Sequence, residues 1–359
     1  MPGRLIVHEQ TIAVGMLEKT RQSERIGQKD WYPPRGMRLG ATHFLRSDFP
    51  WLHHYLDLPE LSSTLAPGIG GTVSWGGRIA AKLGEAVGRL RGLPHWHMED
   101  GFLRSVALGK AGSVPLSIVM DDLGLSTKAA AGSRLERLII EADENDAEKG
   151  RQARDAIVSH RLSKYNHLPH KEPFLPPAGG RRRILLVDQV KGDVSVPFSM
   201  GSEQSFQQML TDAIATKAQC VVRTHPDVVA GYRKGYMTEL AARHSDIVLS
   251  SEAISADAMI AACDEVWTVA SQFGFDALLR GKPVRCYAAP FYAGWGLTTD
   301  MMTQNARTTI LARRTAPRSI DHLAAAAYLE YPLYRNPKDW RQVSFFEAVE
   351  LILAGQSSN

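Results

Sequence analysis

Four short stretches of this 359-residue chain carry side chains suited to acid or phosphate chemistry. In Glu99-Asp100-Gly101-Phe102-Leu103-Arg104-Ser105, two carboxylates stand side by side before a glycine that permits a sharp strand exit. Neighbours in a strand point to opposite faces, so one carboxylate can face a cleft as general acid or base while Arg104 or the backbone holds the other. In Lys191-Gly192-Asp193-Val194-Ser195, Gly192 lets the backbone approach a ligand closely and Asp193 is a candidate nucleophile or base, with Asp188 bracing the loop. Arg223-Thr224-His225-Pro226 ends another strand, and Pro226 forces His225 out of the helical region. A histidine there can hydrogen-bond a phosphate or assist a leaving group. The fourth stretch begins at Ser271-Gln272 and runs through a short apolar helix containing Asp276. The N–H groups and positive dipole end at such a helix start suit phosphate.

Each stretch alone also fits an ordinary turn or αβ unit. Three loops that follow strands on two domains, each with a group for acid or phosphate, point together to transfer chemistry on an anionic, nucleotide-activated substrate. Metal chemistry is not indicated, because the twelve histidines lack H-x₃-H or H-E-x-x-H spacing and the three cysteines lack C-x-x-C spacing.

A formal charge of +4 admits anionic substrates or a membrane surface and does not specifically indicate nucleic acid. The basic clusters Arg181-Arg182-Arg183 and Arg313-Arg314 can touch an anionic membrane face, although such runs are usually solvated surface. Hydrophobic and charged shares of 44% and 22% are those of a soluble globular protein. Cys220, Cys263 and Cys286 lie in apolar runs and read as buried thiols in a reducing compartment. With no apolar run of about 18 residues and no basic-then-apolar start, a cytoplasmic location is expected.

The elements that must position these residues form two sets. Residues 1–40 read as an N-terminal extension. A first domain, 41–168, holds short apolar runs at Ala41–Leu45 and Gly71–Trp75 and an amphipathic helix from Arg78 to Leu90 with Ile79, Leu83, Val87 and Leu90 on one stripe. It continues with strands His95–Met98 and Leu116–Met120, a helix opened by Ser133, and a polar helix from Glu144 to Ser163. Four prolines and a Gly-Gly pair mark 169–182 as the linker. Over 183–315 strands and helices alternate: Ile184–Val187, Glu203–Thr216, Cys220–Arg223, Met237–Arg243, Ile247–Leu249, Ser255–Ala262, Glu265–Val269, then Val284–Tyr287. The expectation is an α/β protein of two Rossmann-like, doubly wound domains facing a cleft, with C-terminal helices in 316–359 that can cross back to the first domain.

Several motifs, in order, resemble one family: Ser74-Trp75-Gly76, the Glu99–Ser105 stretch, Asp121-Asp122-Leu123-Gly124, Lys164-Tyr165-Asn166, Asp188 to Val196, Arg223–Pro226, and Pro290-Phe291-Tyr292-Ala293-Gly294-Trp295-Gly296. From about Thr72 to Tyr334 the chain is similar to the bacterial capsule polysaccharide β-Kdo transferases of the KpsC type. The resemblance implies a GT-B fold that binds CMP-Kdo mainly by its second domain and the acceptor by its first. It implies a retained β configuration, hence a double displacement with a carboxylate nucleophile, for which Asp193 is chosen. Glu99 and Asp100 match the acidic motif, and His225 with Pro226 matches the motif that contacts the nucleotide phosphate. Ser271 and Gln272 would hold that phosphate, and Asp276 stands where the family is expected to place a glutamate near the ribose. Arg104, Lys191 and Arg223 are candidate donors to developing charge, with Gly192 and Ser195 lining the substrate loop.

The same resemblance implies no cofactor or metal beyond the donor CMP-Kdo. It implies a glycolipid or polysaccharide acceptor, a capsule assembly complex at the inner membrane as partner, no nucleic acid, and a cytoplasmic protein peripheral to that membrane. Full-length members hold two transferase modules, and this chain is long enough for one. Two alternatives stay open: a sialyltransferase-like or other nucleotide-sugar transferase on the same fold, and a non-catalytic polysaccharide assembly or export protein.

Overall fold

The computed structural model describes residues 29–77, 79–105, 114–229 and 231–357. The first half is organised by a six-stranded sheet of β1 (Leu39–Ala41), β2 (Ser62–Ser63), β3 (Gly71–Trp75), β4 (His95–Asp100), β5 (Ser117–Asp121) and, from near the C-terminus, β12 (Pro332–Tyr334). Its order is β12-β5-β4-β3-β1-β2, and β5 alone runs against its neighbours. Apolar runs such as Gly71–Ser74 and Ser117–Asp121 are buried throughout, as expected of strands covered on both faces. Helices α1 (His43–Asp48), α2 (Leu52–Leu56), α3 (Ile79–Leu90), α4 (Arg134–Glu141) and α5 (Glu144–Ser159) surround it.

The run expected as a strand over Ala41–Leu45 divides at Thr42, which adopts the extended geometry of a helix cap and starts α1. The strand therefore starts at Leu39, inside the stretch read as an extension. Residues 29–38 also pack on this half, with Trp96 Nε1 donating to Trp31 O and Tyr32 Oη to Tyr331 O; residues 1–28 lie outside the described residues. The polar helix stops at Ser159, short of Ser163, just before Arg161 takes a positive φ.

Helix α3 departs most from the sequence reading. Three members of its apolar stripe point to solvent, Ile79, Leu83 and Leu90 being 80%, 54% and 87% exposed, while Val87 is half-buried. Ala81, Gly84 and Gly88 face the sheet instead. A Cβ on Gly88 would lie 2.2 Å from Thr72 Oγ1, so the helix rests on β3 at a separation that only small residues allow.

The second half holds β6 (Arg183–Val187), β7 (Gln219–Arg223), β8 (Ile247–Ser250), β9 (Glu265–Thr268), β10 (Val284–Cys286) and β11 (Thr299–Asp300), all parallel, in the order β8-β7-β6-β9-β10-β11. This is the dinucleotide-fold order, which reverses between β6 and β9; in the first sheet the reversal falls between β1 and β3. Helices α6 (Ser195–Phe198), α7 (Glu203–Ala215), α8 (Pro226–Val229), α9 (Thr238–Ala241), α10 (Ala256–Ala261), α11 (Phe273–Leu279) and α12 (Gln304–Leu311) complete it. All seven residues of α11 are buried. The helix expected over Met237–Arg243 is one turn long, and Asp188 caps its start by accepting from Met237 N and Thr238 N.

The chain passes between the halves twice. Linker residues lean on the second half, where Ser255 N donates to Pro169 O and Gln219 Nε2 to Pro176 O. The return runs through α13 (Ile320–Ala324), a π-helical segment Ala325–Glu330, β12 and α14 (Phe345–Ser357). One apolar core spans the seam, with Phe102 of the first half against Phe275, Phe291 and Tyr328. Arg313 and Arg314 bind Glu136 of α4 through Nε at 2.5 and 2.8 Å, and Arg314 is only 4% exposed. That pair, read from sequence as able to touch a membrane, is an interior tie. Cys220, Cys263 and Cys286 are buried free thiols.

Candidate active site

Ligands of open α/β sheets sit beyond the carboxyl ends of the strands, at the point where strand order reverses. In the second sheet that point lies between the loops after β6 and β9. Buried Asp188 anchors the first loop, accepting from the backbone N–H of Gln189, Tyr236, Met237 and Thr238 and from Thr238 Oγ1. Gln189, also buried, joins both loops: its Nε2 donates to Asp193 Oδ2 at 3.3 Å and Ser195 Oγ at 3.2 Å, and its Oε1 accepts from Ala270 N at 3.0 Å. Asp193 Oδ1 accepts from Ser195 N at 2.9 Å. Gly192 has φ +84°, the conformation that the tight turn before Asp193 requires.

Glu99 and Asp100 end β4 in the first half. Gly101 then turns the chain where a Cβ would lie 2.1 Å from Ser117 Oγ, so the exit needs glycine. Asp100 Oδ1 lies 2.8 Å from Arg104 Nε, a close ion pair without the alignment of a hydrogen bond. Arg104 is buried and occupied by this contact and by Ser105 Oγ, so it stands behind the cleft rather than on it. Glu99 is left to face Gly76, whose φ of +65° carries β3 past it. Burial raises the Glu99 pKa, the charges of Asp100 and Asp193 add to the rise, and Lys164 opposes it. Asp193 belongs to the other half, so its charge reaches Glu99 across the seam.

Lys164 is the cation that inspection of spacing missed. The backbone N–H of Arg104 donates to Lys164 O, Ser105 bridges to Tyr165, and Asn166 Nδ2 donates to Ser105 O. These bonds bring Lys164 to the acids from the end of the first domain. Burial works against its charge, but Tyr165, Asp100 and Glu99 together raise its pKa. The Lys-Tyr-Asn triplet was its only signal in the sequence, and nothing local tied it to Glu99.

The remaining candidates fall into two groups. Arg223 ends β7 and His225 follows it on the same sheet edge, and the carbonyl of His225 accepts from Val228 N and Val229 N at the start of α8, which Pro226 opens. Arg223 stacks over Phe273 at 4.5 Å and donates to Ile254 O; burial lowers its pKa to about 10 against the pull of Asp276. Ser271 Oγ accepts from Phe273 N, and Ser271 O from Gly274 N, so two N–H groups at the α11 start are already bonded. Gln272 Nε2 reaches across the seam to Phe102 O at 3.1 Å.

Asp276 is 4% exposed, and its Oδ1 has no hydrogen-bond partner among the described residues. Burial raises its pKa to about 6, opposed by Arg280, Arg223 and Lys164. Lys191 stands apart from the acids, paired with Glu203 at 2.8 Å on the surface. Among the described residues no group of three or more His, Cys, Asp or Glu is placed to hold a metal ion.

A crevice of about 90 Å³ marks the other reversal point, lined by Thr42, Phe44, Leu45, Ser74, Trp75, Ala80 and Ala81. A different crevice, bounded by Tyr32, Arg35 and Arg335, includes none of the converging acids.

Two Rossmann-like halves that present their carboxyl edges to a shared acidic cleft constitute a GT-B fold. A family profile described as capsule polysaccharide biosynthesis protein matches residues 71–174 and 177–334, and the chain belongs to that family. The capsule polysaccharide modification protein LipA of Neisseria meningitidis serogroup A is 35% identical over 351 residues, 96% of this chain and 48% of LipA. The lipopolysaccharide-processing protein LpsZ of Rhizobium meliloti is 37% identical over 251 residues, 67% of this chain and 54% of LpsZ. The chain thus spans about half the length of these relatives. Among solved structures, the β-Kdo 2,4 transferase of Thermosulfurimonas dismutans KpsC superposes with a TM-score of 0.79 at 32% identity, over 89% of this chain and 98% of that one. The β-Kdo 2,7 transferase of the same protein shares the fold, with a TM-score of 0.66 at 24% identity over 90% of this chain and 99% of that one.

Proposed function

We propose that this chain is a glycosyltransferase that moves Kdo from CMP-Kdo to a glycolipid or glycan acceptor, forming a β linkage with retention during capsule or surface polysaccharide assembly. The observation that carries the reading is the position of Glu99 at the seam, beside Gly76 and next to the Gly77–Phe198 contact between the halves, where the charges of Lys164 and of Asp193 from the other half both reach it. Likeness to the KpsC 2,4 transferase supports the choice of sugar.

In this mechanism Asp193, oriented by Gln189 and Ser195 N, attacks the anomeric carbon. The bond from that carbon to the phosphate oxygen breaks, and CMP leaves with the electron pair. The acceptor hydroxyl then attacks the same carbon, displacing the Asp193 carboxylate, while Glu99 takes the hydroxyl proton. Its raised pKa fits a group that holds and passes a proton. Lys164 balances charge that builds between the acids, His225 and Arg223 lie on the donor side, and Asp100 with Arg104 supports the Glu99 turn. The protein acts at the cytoplasmic face of the inner membrane, in company with other capsule assembly proteins.

Mass spectrometry of the protein with CMP-Kdo and no acceptor tests the assignment, with a sugar adduct expected on Asp193. An adduct on Asp100 would reverse the roles. Nucleotide release from CMP-sialic acid or a UDP-sugar, with none from CMP-Kdo, would favour another transferase of this fold. Capsule function undiminished in Asp193→Asn would favour a non-catalytic assembly role.

A further inference from the structure

Helix α3 has two apolar faces of different size. Small residues meet the sheet, while Ile79, Leu83, Ala86 and Leu90, spaced by four, three and four residues, form one outward line. Phe44 on α1, which shares the crevice with Ala80 and Ala81, is also exposed, as is Leu65. Leu65 lies beside Arg91, whose guanidinium donates to Thr64 O at 2.6 Å and Ala66 O at 3.1 Å.

The charge at the border of the patch has one prevailing sign. Lys82 and Arg89 flank the line on the helix, and Arg91 follows it. Glu85, the acid on this helix, pairs with Arg89 at 2.9 Å, so those two charges cancel and Lys82 and Arg91 carry the net positive charge. A bulky apolar line edged by cations is the surface chemistry that anionic lipid headgroups and the acyl boundary accept.

The position of the patch matters as much as its composition. Phe44, Ala80 and Ala81 line the crevice at the β1/β3 reversal point, together with Trp75. The next residue, Gly76, passes Glu99. The Ile79 end of the patch, the crevice and Glu99 therefore follow one another at the carboxyl edge of the first sheet.

We propose that the outward face of α3, with Phe44 and Leu65, docks this protein on an anionic lipid bilayer and turns the crevice toward the lipid. The direction of acceptor entry rests on the transferase reading; the docking does not.

Flotation of the full chain with vesicles tests it, using phosphatidylcholine with or without phosphatidylglycerol. The chain floats with the anionic vesicles, at least about tenfold better than with the neutral ones, and loses that preference in high salt. The triple variant Ile79→Ser, Leu83→Ser, Leu90→Ser lowers partition at least about tenfold. Ile214→Ser, an exposed apolar site on the second half, leaves it unchanged. If the triple variant fails to fold, as judged by circular dichroism, the pair Lys82→Glu and Arg91→Glu provides the same test through charge, again with at least about a tenfold loss. Absence of flotation by the wild-type chain overturns the proposal, as does undiminished flotation of the folded variants. A wild-type dimer that the triple variant converts to monomer, with no lipid binding by either, assigns the face to a second copy and also overturns it. No sugar nucleotide is present in these assays, so failure here is distinct from failure of CMP-Kdo cleavage.

Discussion

The two halves share an α/β plan but present opposite surfaces at their reversal points. In the second half that point is polar and braced: Gln189 ties Asp193, Ser195 and Ala270 into one network, and the adjacent α11 is wholly buried. In the first half it is an apolar crevice beside a helix that turns its large side chains outward. The same topology thus supplies a fixed polar cradle on one side and a greasy, open ledge on the other. A charged sugar nucleotide suits the first, and an acceptor carried on lipid suits the second. In the proposed reaction chemistry belongs to neither half alone, because Glu99 and Asp193 come from different sheets.

That division sets the size of the expected effects. Asp193→Asn should lower transfer by about 10³-fold or more and Glu99→Gln by about 10²- to 10⁴-fold, followed as CMP release. Near-normal rates in either variant would mean that one half suffices. Asp276 probes the braced half through stability. Its raised pKa means the folded state holds the proton more tightly than the unfolded chain, so wild-type stability from this group falls as pH rises from about 4 to about 6. Asp276→Asn removes that fall. The stability of the variant relative to wild type should climb by on the order of 3 kcal/mol between pH 4 and pH 8 in urea melts. A flat difference would show that the neighbouring arginines already keep the carboxylate charged.

Lys164→Met sharpens the comparison at the cleft itself. Lys164 lowers the Glu99 pKa, so its loss should move the kinetic limb that Glu99 governs to higher pH and cost about tenfold in kcat. An unshifted limb would place the proton on another group. The smallest effect belongs to the open ledge: Leu83→Ser should change unfolding free energy by no more than about 0.5 kcal/mol, since its side chain is not part of the folded core. A loss of several kcal/mol would show that α3 buries this face.

The second half was the more legible in sequence. Its parallel strands are short apolar runs separated by helical periods, and buried sheets impose that pattern. The Glu99, Asp193 and His225 loops were found because strand ends announce them. The first half hid more. Strands β1 and β12 are three residues each, too short to show a period. The face of α3 was misleading because hydrophobicity ranks Leu90 above Gly88, whereas close approach to Thr72 selects glycine. Lys164 and the Arg313–Arg314 pair were obscured by distance along the chain. Their partners, Glu99 and Glu136, lie far upstream: Lys164 meets Glu99 only once the end of the first half folds back on β4, and Glu136 meets the arginines only after the halves have joined.

The double passage of the chain has a mechanical meaning. Two passages of chain, together with the apolar core that spans the seam, hold the halves in register more firmly than a single tether would. A protease that nicks the linker between residues 169 and 182 would leave the downstream piece stitched to the upstream one by β12 and the Glu136 clasp. The cut protein should still travel through a sizing column as one particle.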